Sequence, residues 1–204
     1  MESATTAAPS PALLRHEFSH LRRVVRAAMP GVPVPPGVII RPARPADAQS
    51  HVALWTAVAA EGRWLTMDRF DHTVAEYRRL FQDAVTNDVA RFAATAGDDV
   101  VGSIRIARID HGAHHHVASL TMAVALPWRG QGIGSGLLTE ALSWARTSAV
   151  EKLMLDVYAS NLAAIALYRK FGFSEEGRLR RHAKKPGGYE DEVIMAQWIR
   201  SDKG

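Results

Sequence analysis

Apolar residues recur along this chain at two periods, and the changes of period divide it into elements. A spacing of three and four sets Leu13, Leu14, Phe18, Leu21, Val24 and Val25 on one face of a helix from about Ala12 to Met29. Arg15, His16, Arg22, Arg23 and Arg26 take the opposite face. Residues 1–11, rich in Ala, Ser, Thr and Pro, have a composition that need not form a core. Pro30-Gly-Val-Pro-Val-Pro-Pro-Gly37 reads as a stiff linker, because proline fixes φ and cannot donate to a ladder. The chain therefore divides into an extension over 1–37 and a domain over 38–204.

Within the domain, strands and helices alternate. Val38 to Pro42 is a short strand, and Pro45 opens a helix through about Ala60 that offers Val52, Leu54, Val58 and Ala59 for burial. A second helix runs from about Asp71 to Val85, with Val74, Tyr77, Leu80 and Phe81 on one face. Ala90 to Ala96 and Val100 to Ile109 are strands joined by Gly97-Asp-Asp99, a hairpin turn by composition. Asp110 to His116 is a second turn, and Val117 to Val124 is an apolar strand. From near Gln131, Ile133, Leu137, Leu138, Ala141, Leu142 and Ala145 form a helical face. Lys152 to Val157 alternates as a strand, Asn161 stands where a helix N-cap is wanted and Gly172 where a C-cap glycine belongs. Phe173 to Leu179 and Glu192 to Ile199 complete the sheet, with Arg180 to Gly188 as a long basic loop. This order predicts an α/β (α+β) domain of three layers, a mixed and mostly antiparallel sheet flanked by helices.

The chemistry concentrates where the strand ending at Val124 turns into the helix near Gln131. Gly130, Gly132, Gly134 and Gly136 alternate with other residues. Glycine allows positive φ and close approach to the main chain, so the amides of Gly130, Gln131, Gly132, Ile133, Gly134 and Ser135 can point outward together. A helix N-terminus brings unpaired donors and a positive dipole end, and Arg129 adds a full charge, which suits a phosphate or pyrophosphate. A tight strand-to-helix turn would use the same glycines. No Gly-Lys-Ser/Thr ending follows, and Ser135 or Leu137 stands where the third glycine of a dinucleotide fingerprint belongs. What remains is Arg129-x-x-Gly132-x-Gly134.

That pattern, after an apolar strand and before a helix, resembles the acetyl-CoA-binding motif of the GNAT superfamily of N-acetyltransferases. A second stretch agrees: Leu153-Met-Leu-Asp-Val-Tyr-Ala-Ser-Asn161, then a helix carrying Ala-x-x-Leu-Tyr168, closing on Gly172-Phe173. The resemblance covers about residues 38 to 200, and Glu176-Gly-Arg178 with Gly188-Tyr-x-Asp191 and Met195-Ala196 is similar to bacterial members that acetylate small amines or amino acids. It implies a GNAT-like fold and transfer of acetyl from acetyl-CoA to a primary amine. It places Arg129 and the amides of Gly130 to Ser135 on the pyrophosphate, the main chain of Met122 and Val124 along the pantetheine arm, Asn161 among the cofactor contacts and Tyr168 as general acid. It also sets Glu61, Trp64 and Asp68 beside the acceptor. Glu61, Asp156, His116 and Asp191 all stand open as the base, and a water chain serves many members. Carboxylates in the cleft would favour cationic acceptors, whereas Arg63 or Arg178 there would favour amino acids. A homodimer is a habit of the family.

Composition narrows the field further. The 204 residues carry 25 Lys and Arg against 21 Asp and Glu, a formal charge of +4 that a polyphosphate cofactor accounts for. The basic residues are dispersed without interleaved aromatics, which argues against nucleic acid. Zero cysteines remove disulfides, thiolate metal sites and a cysteine acetyl relay. His111, His114, His115 and His116 lie on a turn without the helical spacing of a metal site, so no metal is expected. No run approaches the roughly 18 apolar residues of a membrane span, and a cytoplasmic protein is expected. Acetylation of a protein N-terminus or lysine, and a non-catalytic acyl-CoA sensor, remain as alternatives.

Overall fold

The computed structural model describes residues 33–65 and 70–199. The expected helix over 12–29, its flanking segments up to residue 32, and Asp68 lie outside the described residues. The seven strands are β1 (Val38–Pro42), β2 (Val89–Ala96), β3 (Asp99–Arg108), β4 (Val117–Val124), β5 (Lys152–Tyr158), β6 (Ser174–Lys185) and β7 (Gly188–Trp198). They form one sheet in the order β1-β2-β3-β4-β5-β7-β6. Neighbours are antiparallel except β4 and β5, which run parallel.

Strand alternation sends successive side chains to opposite faces, and each face finds its own helices. Phe92 and Ala94 of β2 pack in one core with Ile133, Leu137 and Leu138 of α3 (Ile133–Thr147) and Ile165 of α4 (Leu162–Lys170). Ala93, between them, joins Leu54, Trp55 and Val58 of α1 (Ala48–Ala60) in a second core on the other face. Phe81, just past α2 (Val74–Leu80), closes that second core. The expected three-layer α+β architecture is the one that forms. Leu137, Leu138 and Leu142 are fully buried, and burying each stabilises by about 1.5–3 kcal/mol, so α3 is held firmly and its N-terminal turn with it.

Three boundaries differ from expectation. The second helix is shorter, because Thr73 and Glu76 form a capping box that starts it at Val74. The helix expected from near Gln131 starts at Ile133, since Gly132 has φ +83° and cannot be helical. The expected basic loop over 180–188 is instead strand: β6 continues to Lys185 and turns tightly into β7, pairing Lys185 with Gly188. A register slip between Leu179 and Ala183 destroys the alternation that would mark this strand in the sequence. Arg181 sits at φ 53°, and its amide donates to Asp191 Oδ1 at 2.8 Å.

The parallel pair sets up the site. β4 and β5 pair only through Val117–Ser119 and Lys152–Met154, after which no register links them. Beyond Ser119, β4 stays on β3 while β5 stays on β7, so a wedge opens in the sheet.

Candidate active site

The open edge of β4 is the first component. Ala125 N–H donates to Val101 O at 2.9 Å, on the β3 side. Main-chain groups alternate in direction along a strand, so those of Met122 and Val124 face the wedge. Val124 O confirms the direction by accepting Arg129 Nε at 2.9 Å. Met122 and Val124, expected to hold the pantetheine arm, thus lie on a strand edge that no neighbouring strand pairs, with Val124 O already taken by Arg129.

The turn into α3 is the second. Gly130 and Gly132 both adopt positive φ, at 74° and 83°, a conformation that favours glycine. The first helical bond in α3 is Gly136 N–H to Gly132 O at 2.9 Å, so the amides of Ile133, Gly134 and Ser135 precede it. No side chain caps this terminus and no acidic residue lies in its first turn. Gln131 braces the turn by donating Nε2 to Pro127 O at 2.7 Å. At Gly134 an added Cβ would come within 2.9 Å of Leu167 and 3.6 Å of Met122, so a side chain here would fill the angle between the helices. A cradle of uncapped donors that a Cβ would crowd fits a phosphate-bearing cofactor.

Arg129 is placed differently from a bare phosphate ligand. Its guanidinium meets Glu61 in a two-pronged ion pair, at 2.6 and 2.8 Å, while Nε holds Val124 O. Glu61, at the end of α1, thus neutralises this cation and ties the end of that helix to the glycine turn.

Tyr168 and Asn161 come from α4. Asn161 Oδ1 accepts Ala164 N–H at 3.2 Å, as an N-cap should. Tyr168 is only 6% exposed, packs its ring on Phe173 and lines the cleft. Its hydroxyl makes no hydrogen bond among the described residues. Burial pushes its pKa well above the ordinary phenol value, and the Asp156 charge pushes the same way, so it stays protonated.

These parts converge on one cleft of about 460 Å³, walled by Met122, Val124, Arg129, Gly130, Gly132, Gly134, Ser135, Asn161, Tyr168 and Trp64. A second cavity of about 750 Å³ lies beyond β5 and shares Leu65, Asp156, Tyr158 and Glu192 with the first. Of the four residues considered as base, Asp156 lines both spaces. Glu61 is engaged by Arg129, His116 stacks on Trp198, and Asp191 accepts Arg181 N–H. Arg178 is bound to Glu175 and lines neither cavity, and Arg63 stacks on Trp64. Sequence reasoning missed Glu192, although it lies in phase with Ile194 and Ala196 on β7, a carboxylate where an inward apolar residue is expected.

The profile of the Acetyltransferase (GNAT) family matches residues 58–173, more than half of the chain. The chain belongs to the GNAT acetyltransferase family. That match spans β4, the cradle and α4, the elements that build the cleft. Among GNAT relatives, the L-amino acid N-acetyltransferase AaaT of Escherichia coli K12 is 31% identical over 113 residues, 53% of this chain and 68% of that protein. The [ribosomal protein bS18]-alanine N-acetyltransferase of Escherichia coli K12 is 40% identical over 75 residues, which span 37% of this chain and about half, 51%, of that protein. A GNAT superfamily phosphinothricin acetyltransferase (Pat) from Sinorhizobium meliloti, solved in complex with AcCoA, shares the fold at a TM-score of 0.72 and 19% identity, covering 82% of this chain and 95% of that one. The GNAT family uses acetyl-CoA. Among the described residues no helix is long and apolar enough to cross a membrane.

Proposed function

We propose that this GNAT enzyme transfers acetyl from acetyl-CoA to the primary amine of a small molecule or amino acid. The observation that carries the reading is the wedge itself. One cleft joins an uncapped, glycine-built helix terminus, an unpaired β4 edge and the hydroxyl of Tyr168. The amides of Gly130 to Ser135 would hold the pyrophosphate, with Arg129 at their rim, and the main chain of Met122 and Val124 would bond the pantetheine arm. Acetyl-CoA supplies an activated acyl group as a thioester. Tyr168 would hydrogen-bond the sulfur as its bond to carbon breaks, and a β4 amide would polarise the carbonyl oxygen as charge develops there.

The small-molecule reading takes support from the 31% identity to an L-amino acid acetyltransferase. The 40% identity to an enzyme named for a protein alanine favours, as a second reading, acetylation of a protein N-terminus. Calorimetric titration with acetyl-CoA, run beside thiol release on amino acids, polyamines and short peptides, separates the two. Binding with turnover on small amines is expected. Turnover confined to peptides would transfer the assignment to a protein acceptor, and tight binding without turnover would favour a sensor.

Asn161 has both a structural and a ligand role to test. Asn161→Ala removes the cap of α4 and should cost about 1 kcal/mol in urea unfolding. Asn161→Asp keeps a capping oxygen and should restore that stability while weakening acetyl-CoA binding, because a carboxylate would stand beside the cofactor's phosphates. An Asp variant that binds as tightly as the parent leaves Asn161 as a cap alone.

A further inference from the structure

We propose that Glu192 receives the acceptor's ammonium group and takes its proton, which makes the second cavity the entry for a cationic primary amine. The proposal rests on the transferase reading above and names the residue that selects its acceptor. Glu192 stands on β7 opposite Tyr158 of β5 and Leu179 of β6, at the wall common to both cavities. It is only 7% exposed, yet among the described residues its carboxylate has neither a hydrogen bond nor an ion pair. A carboxylate that lines both cavities and has no protein partner among the described residues is left to solvent or to a cationic ligand.

The surrounding charges favour a cation at this point. Asp156, facing the same junction from β5, also has no ion-pair partner among the described residues, so two carboxylates line one passage. Lys185, which lines the second cavity, is already engaged: its Nζ lies 3.0 Å from Arg63 O, 3.4 Å from Glu190 and 3.4 Å above the Tyr158 ring. His182 and Lys184 line the second cavity but not the first, whereas Asp156 and Glu192 line both. A primary ammonium would be drawn from the cavity's mouth to its inner end, where the acyl cleft begins.

The step balances. The ammonium gives one proton to the Glu192 carboxylate, and the freed lone pair forms the bond to the acyl carbon as the carbon–sulfur bond breaks. The sulfur takes a proton from Tyr168, which is replenished by the second proton leaving the nitrogen. Glu192 then returns its proton to solvent through the second cavity, giving amide, free thiol and one proton.

Glu192→Gln preserves size and removes both the charge and the basicity. With L-leucine, spermidine and the tripeptide Ala-Ala-Ala as acceptors, it should lower kcat/KM about a hundredfold or more for each acceptor the parent uses, while the acetyl-CoA Kd stays within about twofold. If the Gln variant does not fold, Glu192→Asp retracts the carboxylate by one methylene and should lower kcat/KM about tenfold, again with acetyl-CoA affinity kept. A parent that acetylates an acceptor and a variant that matches it would overturn the role of Glu192 alone. A parent that turns over none of the three would overturn the small-amine transferase reading, and this proposal with it.

Discussion

Tyr168→Phe is expected to lower kcat about a hundredfold or more, with acetyl-CoA affinity and thermal midpoint close to the parent's. The reason lies in where the hydroxyl is and in what it lacks. The ring is buried against Phe173 and contributes packing that phenylalanine reproduces. The hydroxyl makes no hydrogen bond among the described residues, so removing it breaks no contact of the folded chain. Any loss of rate must then come from interactions made with the ligand.

Burial and the Asp156 charge hold the phenol protonated far above its usual range. A group with such a pKa is a poor source of free protons but a constant hydrogen-bond donor. On the proposed mechanism it would serve the sulfur as donor and relay, its proton replaced from the acceptor nitrogen once that nitrogen is bonded to the acyl carbon. Two readouts distinguish this from a structural role. The pH dependence of kcat should show no inflection from Tyr168 below about pH 10. The loss should fall on kcat and leave acetyl-CoA binding intact, because the hydroxyl is needed as charge builds on sulfur. A Phe variant with parental kcat would remove Tyr168 from the chemistry.

Most of the cleft was legible because its parts are local. Arg129 to Gly134 is a contiguous string whose glycines need positive φ at 130 and 132, and Asn161 is a cap within one turn of the amides it serves. The β4 strand and the α3 face followed from simple periods, and both formed within two residues of expectation. What failed was whatever depended on distant chain. The Arg129–Glu61 pair joins residues 68 apart, so no local pattern could show that this cation comes with its own carboxylate. Glu192 gains its meaning only from the wedge between β4 and β5, a tertiary feature created by where their pairing stops. The β6 extension was hidden for a third reason. Its basic side chains are mostly exposed, and its register slips by two residues, so neither burial nor alternation marks it.

The other large effect is on stability in acid, and it comes from His51. This residue lies on α1, is only 6% exposed and has its ring 4.3 Å from that of Tyr77 and 5.0 Å from that of Phe81. Among the described residues neither ring nitrogen has a hydrogen-bond partner. Burial pushes its pKa down to about 4; the Asp47 charge opposes this and Arg91 reinforces it. In the unfolded chain the same imidazole titrates near 6.5. Between those two values the unfolded state binds the extra proton and the folded state does not, so stability falls as pH drops from about 6.5 to about 4 and is fully present above that window. The gap corresponds to about 3 kcal/mol, a large part of the 5–15 kcal/mol typical of a domain. His51→Phe keeps a ring among Tyr77, Phe81 and Trp55 but cannot ionise. Urea unfolding of parent and variant at pH 7 and at pH 4 isolates the term, because every other titrating group is common to both chains. The variant should gain about 3 kcal/mol on the parent between the two conditions. Parallel curves would mean that His51 is protonated in the folded protein, with a partner or a water reaching into the aromatic cluster.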